Sequence, residues 1–142
     1  MNILVTGSNG QVGSEIRELS SDYSYNFFFT DRNNIDITCK DSIKDFCQAN
    51  NINVIVNCAA YTAVDKAETD IENADLGNRK AVKKLSIVSK DLDIKLIHIS
   101  TDYVFDGKNF KPYCEEFQTN PQGVYGKTKL DGENEMRDIN PK

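Results

Sequence analysis

Apolar residues gather along the chain into four short runs, at positions 3–5, 27–29, 54–56 and 94–99. Each run is continuous rather than alternating, the pattern of a strand buried on both faces in a parallel sheet covered by helices. Between the runs the spacing turns helical. Val12, Ile16 and Leu19 share one face of a helix predicted over 10–19. Asp41 reads as the N-cap of a second helix over 41–50, with Ile43, Phe46 and Cys47 as its buried stripe. A third helical region, 64–90, turns Ala74, Ala81, Leu85 and Val88 inward, with Gly77 as a close-packing point or kink. Strands alternating with helices predict an α/β fold with a doubly wound parallel sheet in three αβα layers.

From 101 to 122 no period is sustained, and Gly107, Pro112 and Pro121 punctuate the stretch. Connections of that length are usually functional or disordered. A last helix is predicted over 123–138, stopped by Asn140-Pro141 because proline disfavours helix in the residue before it. The 142 residues, 39% hydrophobic and 27% charged, make one globular domain. With 17 Lys plus Arg against 22 Asp plus Glu, a net charge of -5 and no basic run, nucleic acid is excluded as a partner. No apolar stretch reaches the roughly 18 residues that span a bilayer, and the N-terminus lacks the charged start of a signal peptide. The expectation is a cytoplasmic protein with no membrane partner. Cys39, Cys47, Cys58 and Cys114 form no CxxC pair and have one histidine for company, so no metal site is expected.

Gly7-Ser8-Asn9-Gly10-Gln11-Val12-Gly13 reads GxxGxxG and lies between the first strand and the first helix. Glycines there permit a tight turn and close approach of backbone to a pyrophosphate, which the helix N-terminus then attracts. A bare chain reversal would need less. The second strand delivers Asp31 18 residues after Gly13, near the spacing at which a carboxylate accepts adenosine ribose hydroxyls. That favours NAD, whereas Arg32 beside it suits the 2′-phosphate of NADP. The pair leaves both open, and the turn is Rossmann-like either way.

Tyr125 and Lys129 form a YxxxK pattern at the start of the last helix, on one face. An ammonium near a phenol stabilises the phenolate and makes proton transfer feasible near neutral pH. The pattern alone is common on ordinary helices. It gains weight from Ser100-Thr101-Asp102-Tyr103-Val104-Phe105-Asp106-Gly107, a polar segment beginning where the fourth strand ends. A hydroxyl there can orient a carbonyl oxygen towards Tyr125. His98, inside that strand, reads as a hydrogen-bonded core histidine rather than a catalytic one.

Taken together, these residues resemble the extended short-chain dehydrogenase/reductase superfamily, and within it the dTDP-4-dehydrorhamnose reductases. The motifs are the glycine turn, Asp31-Arg32, Asp36-Ile37, the segment from Asn57 to Glu68, STDYVFDG from Ser100, and YGKTKLDGE from Tyr125. The resemblance implies a catalytic triad of Thr101, Tyr125 and Lys129. It implies that Gly7, Asn9, Gly10, Gln11 and Val12 surround the pyrophosphate and that Asp31, Arg32, Asp36 and Ile37 surround the adenosine. Ala59, Ala60, Tyr61 and Thr62 would lead towards the nicotinamide ribose, which Lys129 would hold beside Tyr125, and Tyr103 would line the sugar pocket. The implied reaction is reduction by NADPH or NADH of the C4 keto group of dTDP-4-dehydro-L-rhamnose to dTDP-L-rhamnose. A dehydratase reading is disfavoured, because the related dehydratases place Glu after the Asp that follows the catalytic Thr, and here Asp102 is followed by Tyr103.

Members of the superfamily continue with a further strand and a substrate domain, and this sequence stops after the YxxxK helix. The expectation is therefore one incomplete NAD(P)-binding domain over 1–142, paired as a homodimer or with a C-terminal half. A second expectation is a noncatalytic NADP-binding regulatory subunit, similar to the β subunit of methionine adenosyltransferase. A third is a folded fragment with an exposed apolar sheet edge, prone to association.

Overall fold

In the computed structural model, which describes residues 1–141, four strands form one parallel sheet. They are β1 (Asn2–Thr6), β2 (Asn26–Thr30), β3 (Val54–Asn57) and β4 (Lys95–His98), in the order β2-β1-β3-β4. The helices are α1 (Gln11–Leu19), α2 (Lys40–Ala49), α3 (Val64–Ala67), α4 (Ile71–Asp75), α5 (Ala81–Asp91) and α6 (Val124–Ile139). The chain steps outward from β1 to β2, then crosses back past β1 to lay down β3 and β4. Strand order reverses between β1 and β3, and the crevice beyond the carboxyl ends there is where open α/β sheets bind ligands.

The core lies on one face of the sheet. Leu4, Ile55 and Leu96 pack there with Ile43 and Cys47 of α2 and Leu85 and Val88 of α5, and Met136 of α6 closes against them. Phe28 meets Phe46 of α2 edge-on, with ring centroids 6.3 Å apart. The neighbouring Phe29 points the other way, and the Arg17 guanidinium of α1 sits 4.9 Å above its ring. α1 thus occupies the opposite face, and the sheet is doubly wound as the pattern of runs predicts.

The strands are nevertheless not buried equally on both faces. Leu96 is 4% exposed and its neighbour Ile97 is 42% exposed. Among the described residues α1 alone covers the second face, and its own stripe is open, with Val12 and Leu19 exposed. Continuous apolar runs reported both faces as apolar and could not report that one is half covered.

Two helix expectations and one strand expectation also shift. The second helix begins at Lys40 with Cys39 as N-cap, so Asp41 lies in the first turn, where its charge suits the helix dipole. The region 64–90 is broken after α3 and resumes at α4, which continues through a π-helical turn, Leu76–Lys80, into α5. Gly77 lies in that turn, where a Cβ would stand 3.4 Å from the Tyr61 side chain, an ordinary contact. The strand run 94–99 is ordered as β4 only over Lys95–His98. No helix among the described residues is long and apolar enough to cross a membrane.

One-sided burial has a measurable consequence. Leu96→Ala is expected to cost about 2–5 kcal/mol in a denaturant titration, whereas Ile97→Ala, one residue away, costs about 1 kcal/mol or less. Equal losses would mean that the second face is packed as densely as the first.

Candidate active site

The glycine turn closes over the reversal point between β1 and β3. Gly7 has φ +64°, a left-handed conformation that suits glycine, and a Cβ there would stand 2.6 Å from the Ala59 backbone nitrogen. A Cβ on Gly13 would come equally close to the Gly7 carbonyl, so α1 starts hard against the turn. Gly10 is the N-cap and no side chain caps the helix, which leaves the N–H groups of Gln11 and Val12 without a side-chain acceptor at the positive end of the dipole. This is a cradle for an anion. At the end of β2, Asp31 Oδ2 accepts a hydrogen bond from Asn9 Nδ2 at 2.9 Å, and its Oδ1 accepts one from the Asn33 N–H at 2.8 Å. The carboxylate is thus clipped to the glycine turn, with the Arg32 side chain exposed beside it. Asp36 and Ile37 lie further along this loop. The Asp36 carboxyl accepts from the Thr38 N–H and hydroxyl, which hold it below the usual carboxylate range, and Ile37 packs against the core.

Across the sheet, the last residues of β1, β3 and β4 are in register as Thr6, Asn57 and His98. The Thr6 hydroxyl donates to Asn57 Oδ1 at 2.6 Å, and Asn57 Nδ2 lies 2.9 Å from His98 Nδ1. His98 therefore is a hydrogen-bonded core histidine, and it also reaches the site. Beyond β3 the chain passes through Ala59 and Ala60 to Tyr61 and Thr62. Asn78, on the π-helical turn and 1% exposed, clamps this stretch. Its Oδ1 accepts from the Tyr61 N–H at 2.8 Å, and its Nδ2 donates to the Tyr61 carbonyl and the Thr128 hydroxyl at 3.1 Å each.

α6 is fitted into this frame by close approaches. A Cβ on Gly126 would lie 2.2 Å from the Tyr103 carbonyl, and one on Gly132 would lie 2.2 Å from the Asn78 carbonyl. At its start, Glu68 reaches over from beyond α3 and accepts the Val124 N–H at 2.8 Å, supplying a cap and a negative charge from another element. Tyr125 is half-buried, its ring edge-on to exposed Tyr103 at 5.6 Å. One turn on, Lys129 is 2% exposed, and its Nζ donates to the Ile99 carbonyl at 2.5 Å and stands 3.4 Å from His98 Nε2. Burial pushes the Lys129 ammonium down to about 8, with Glu133 pulling the other way. Burial, then Lys129, pushes His98 down to about 3. Thr101 caps the 3-10 turn Asp102–Val104: its hydroxyl accepts from the Tyr103 N–H at 3.2 Å and donates to Asp102 Oδ1 at 3.3 Å. Ser100 turns instead to Glu133 of α6.

Most of the residues singled out in sequence lie on the segments that follow the carboxyl ends of the strands and on the start of α6, with Asp36 turned into its own loop and Ile37 packed against the core. Asn78 and Glu68 were passed over. Asn78 carried a readable signal, a polar residue in line with the inward positions Ala74, Ala81 and Leu85. Glu68 carried none, because its partner lies 56 residues away.

Uncapped helix N–H groups at the end of β1 and a buried lysine beyond β4 suit a dinucleotide, and the domain is of the Rossmann-like α/β class. Within that class the chain belongs to the family described as the RmlD substrate binding domain, whose model matches residues 1–142. A curated relative, dTDP-4-dehydrorhamnose reductase of Sinorhizobium fredii, is 39% identical over 99% of this chain and 47% of its own length. The crystal structure of a dTDP-4-dehydrorhamnose reductase from Clostridium acetobutylicum superposes with a TM-score of 0.96 at 42% identity, over 100% of this chain and 51% of that one. The Bacillus anthracis dTDP-4-dehydrorhamnose reductase, solved in complex with NADP, gives a TM-score of 0.93 at 32% identity, over 97% and 49%. The chain spans about half the length of the curated relatives it matches.

Burial of Lys129 sets a stability prediction. Its pKa is lower in the native state than in the unfolded chain, so between about 8 and 10.5 the unfolded chain holds the proton that the native state has lost, and stability rises with pH across that window. Below it the native state carries a charge that burial disfavours. Lys129→Met keeps the volume and removes the charge, so it is expected to raise Tm at pH 7, with the gain shrinking towards pH 10. A lower Tm at pH 7 would mean that the ammonium is a net stabiliser.

Proposed function

We propose that this chain carries the cofactor site and the reacting groups of a reductase that converts the C4 keto group of dTDP-4-dehydro-L-rhamnose to the hydroxyl of dTDP-L-rhamnose. The observation that carries the reading is the docking of α6. Lys129 Nζ on the Ile99 carbonyl brings the Tyr125 helix to the end of β4, where Thr101 follows three residues after His98, at the same sheet end as the glycine turn. The relatives named above as dTDP-4-dehydrorhamnose reductases support the substrate, and the Bacillus anthracis complex supports NADP as one cofactor.

The residues present fit a nicotinamide dinucleotide. The uncapped N-terminus of α1 and the open turn at Gly10, Gln11 and Val12, with Gly7 and Asn9, would hold the pyrophosphate. Asp31 would accept the adenosine ribose hydroxyls, or Arg32 would pair with a 2′-phosphate, with Asp36 and Ile37 at the adenine end. Ala59, Ala60, Tyr61 and Thr62 would line the way to the second ribose. When bound, the reduced nicotinamide supplies a hydride to the carbonyl carbon. Tyr125 gives its phenolic proton to the carbonyl oxygen as that oxygen gains charge, and the Thr101 hydroxyl, released from Asp102, hydrogen-bonds the same oxygen. The Lys129 ammonium stabilises the phenolate left behind. Tyr103, edge-on to Tyr125, would bound the sugar side. Most contacts with the nucleotide-sugar would fall to the chain that the relatives carry beyond this length, on the same polypeptide, a second copy or a separate one.

Calorimetric titration of the 142-residue chain with NADPH and with NADH tests the reading. Saturable binding of at least one is expected, with Arg32→Ala weakening NADPH more than NADH and Asp31→Asn doing the reverse. Tyr125→Phe is expected to leave binding within a factor of about two and to abolish carbonyl reduction when the substrate side is complete. Failure to bind either cofactor, or undiminished turnover in Tyr125→Phe, would overturn it.

A further inference from the structure

Thr6, Asn57 and His98 end three adjacent strands and form one hydrogen-bonded row that runs into Lys129. The direction of the row follows from its donors. The Thr6 hydroxyl donates to Asn57 Oδ1, so the Asn57 amide nitrogen is left to face His98 Nδ1. An amide nitrogen only donates, which makes Nδ1 the acceptor and places the ring proton on Nε2. Nε2–H points at Lys129 Nζ, 3.4 Å away. It meets a lone pair there when Nζ is an amine, and opposing hydrogens when Nζ is an ammonium.

The same heavy-atom positions allow a second arrangement. With the Asn57 amide turned over, the Lys129 ammonium donates to Nε2, Nδ1–H donates to Asn57 Oδ1, and Asn57 Nδ2 donates to the Thr6 hydroxyl. From Asn57 to Lys129 each group has a partner in either arrangement, whereas an ammonium facing Nε2–H, or the Asn57 amide nitrogen facing Nδ1–H, sets donor against donor in a buried place.

We infer that Thr6, Asn57 and His98 form a reversible relay whose hydrogen-bond direction is set by whether Lys129 carries its proton, with His98 as a positioning residue that stays uncharged while changing tautomer. Loss of the Lys129 proton releases one proton to solvent; the ring keeps one proton throughout, on Nδ1 before and on Nε2 after. The relay lets a buried lysine give and take a proton without stranding a partner. Its use in catalysis, recharging the site after Tyr125 has given up its proton, rests on the reductase reading above, but the coupling itself is a property of the free chain.

The surroundings suit that role. Lys129 ionises at about 8 and His98 only at about 3, so across neutral pH the lysine changes charge and the ring does not. Glu133 on the same helix is the charge that acts on Lys129. Charged groups on the neighbouring elements are engaged elsewhere: Glu68 with the Val124 N–H, Arg79 and Lys83 with Glu135, and Asp102 with the Thr101 hydroxyl.

His98 is the one histidine in the sequence, so a nitrogen-15 imidazole spectrum of the labelled chain reports it without ambiguity. The expected result is Nδ1–H below about pH 7 and Nε2–H above about pH 9, with no imidazolium down to about pH 5. The midpoint should coincide with the titration of the Lys129 ε-carbon, identified as the resonance lost in Lys129→Met. Asn57→Asp, close to isosteric, presents only acceptors and is expected to lock Nδ1–H at every pH and to raise the proton affinity of Lys129 about tenfold or more. One tautomer throughout in the unsubstituted chain, a tautomer change that does not track Lys129, or a ring that charges near pH 6.5 would overturn the inference. These spectra need neither cofactor nor turnover, so their failure is separable from failure of the reductase reading. Should Asn57→Asp not fold, the unsubstituted chain decides.

Discussion

A lysine amine held almost out of water at the end of a β-strand is the constraint around which this site is built. Removing an ammonium from water is costly unless its hydrogens find acceptors, and Lys129 meets the condition with the Ile99 carbonyl and the His98 ring. One acceptor ends the fourth strand and the other follows it directly, so the lysine is placed only if α6 lies close against the sheet end. That closeness in turn requires glycine at 126 and 132, where any side chain would run into the backbone of Tyr103 or Asn78. The glycines, the clamp of Asn78 and the polar row across β1, β3 and β4 are thus consequences of one placement.

Much of this was legible in the sequence because it obeys local rules. The glycine turn, the acid after β2 and the YxxxK pair announce themselves by spacing and by the elements that flank them, and the parallel sheet follows from its apolar runs. The illegible part is tertiary. Cys39 rather than Asp41 caps α2, and a break after α3 divides a helix that sequence pattern draws as continuous, since neither depends on periodicity alone. His98 looked like an ordinary core residue because a strand position says what is buried and not what stands opposite. The coverage of the second sheet face is likewise a property of the assembled layers: Ile97 and Leu96 look alike in sequence and differ tenfold in exposure.

Membership of the family follows from a match along the whole chain, whereas the site explains which parts of the family's chemistry these residues can hold. The chain contains an uncapped helix N-terminus behind a glycine turn, an acid at the end of β2 clipped to that turn, and a lysine docked just beyond β4. Fold and family alone would say that a dinucleotide domain is present. The geometry adds where a proton is stored and how its departure is tolerated.

The cap that Glu68 places on Val124 ties together two segments separated by 56 positions. The loop between them must be closed for the first turn of α6 to have this acceptor, so the start of the last helix is held from a distant segment. The segment bordering the crevice and the helix bearing Tyr125 become one cooperative unit, in which fraying of the helix start and loosening of the distant loop are the same event.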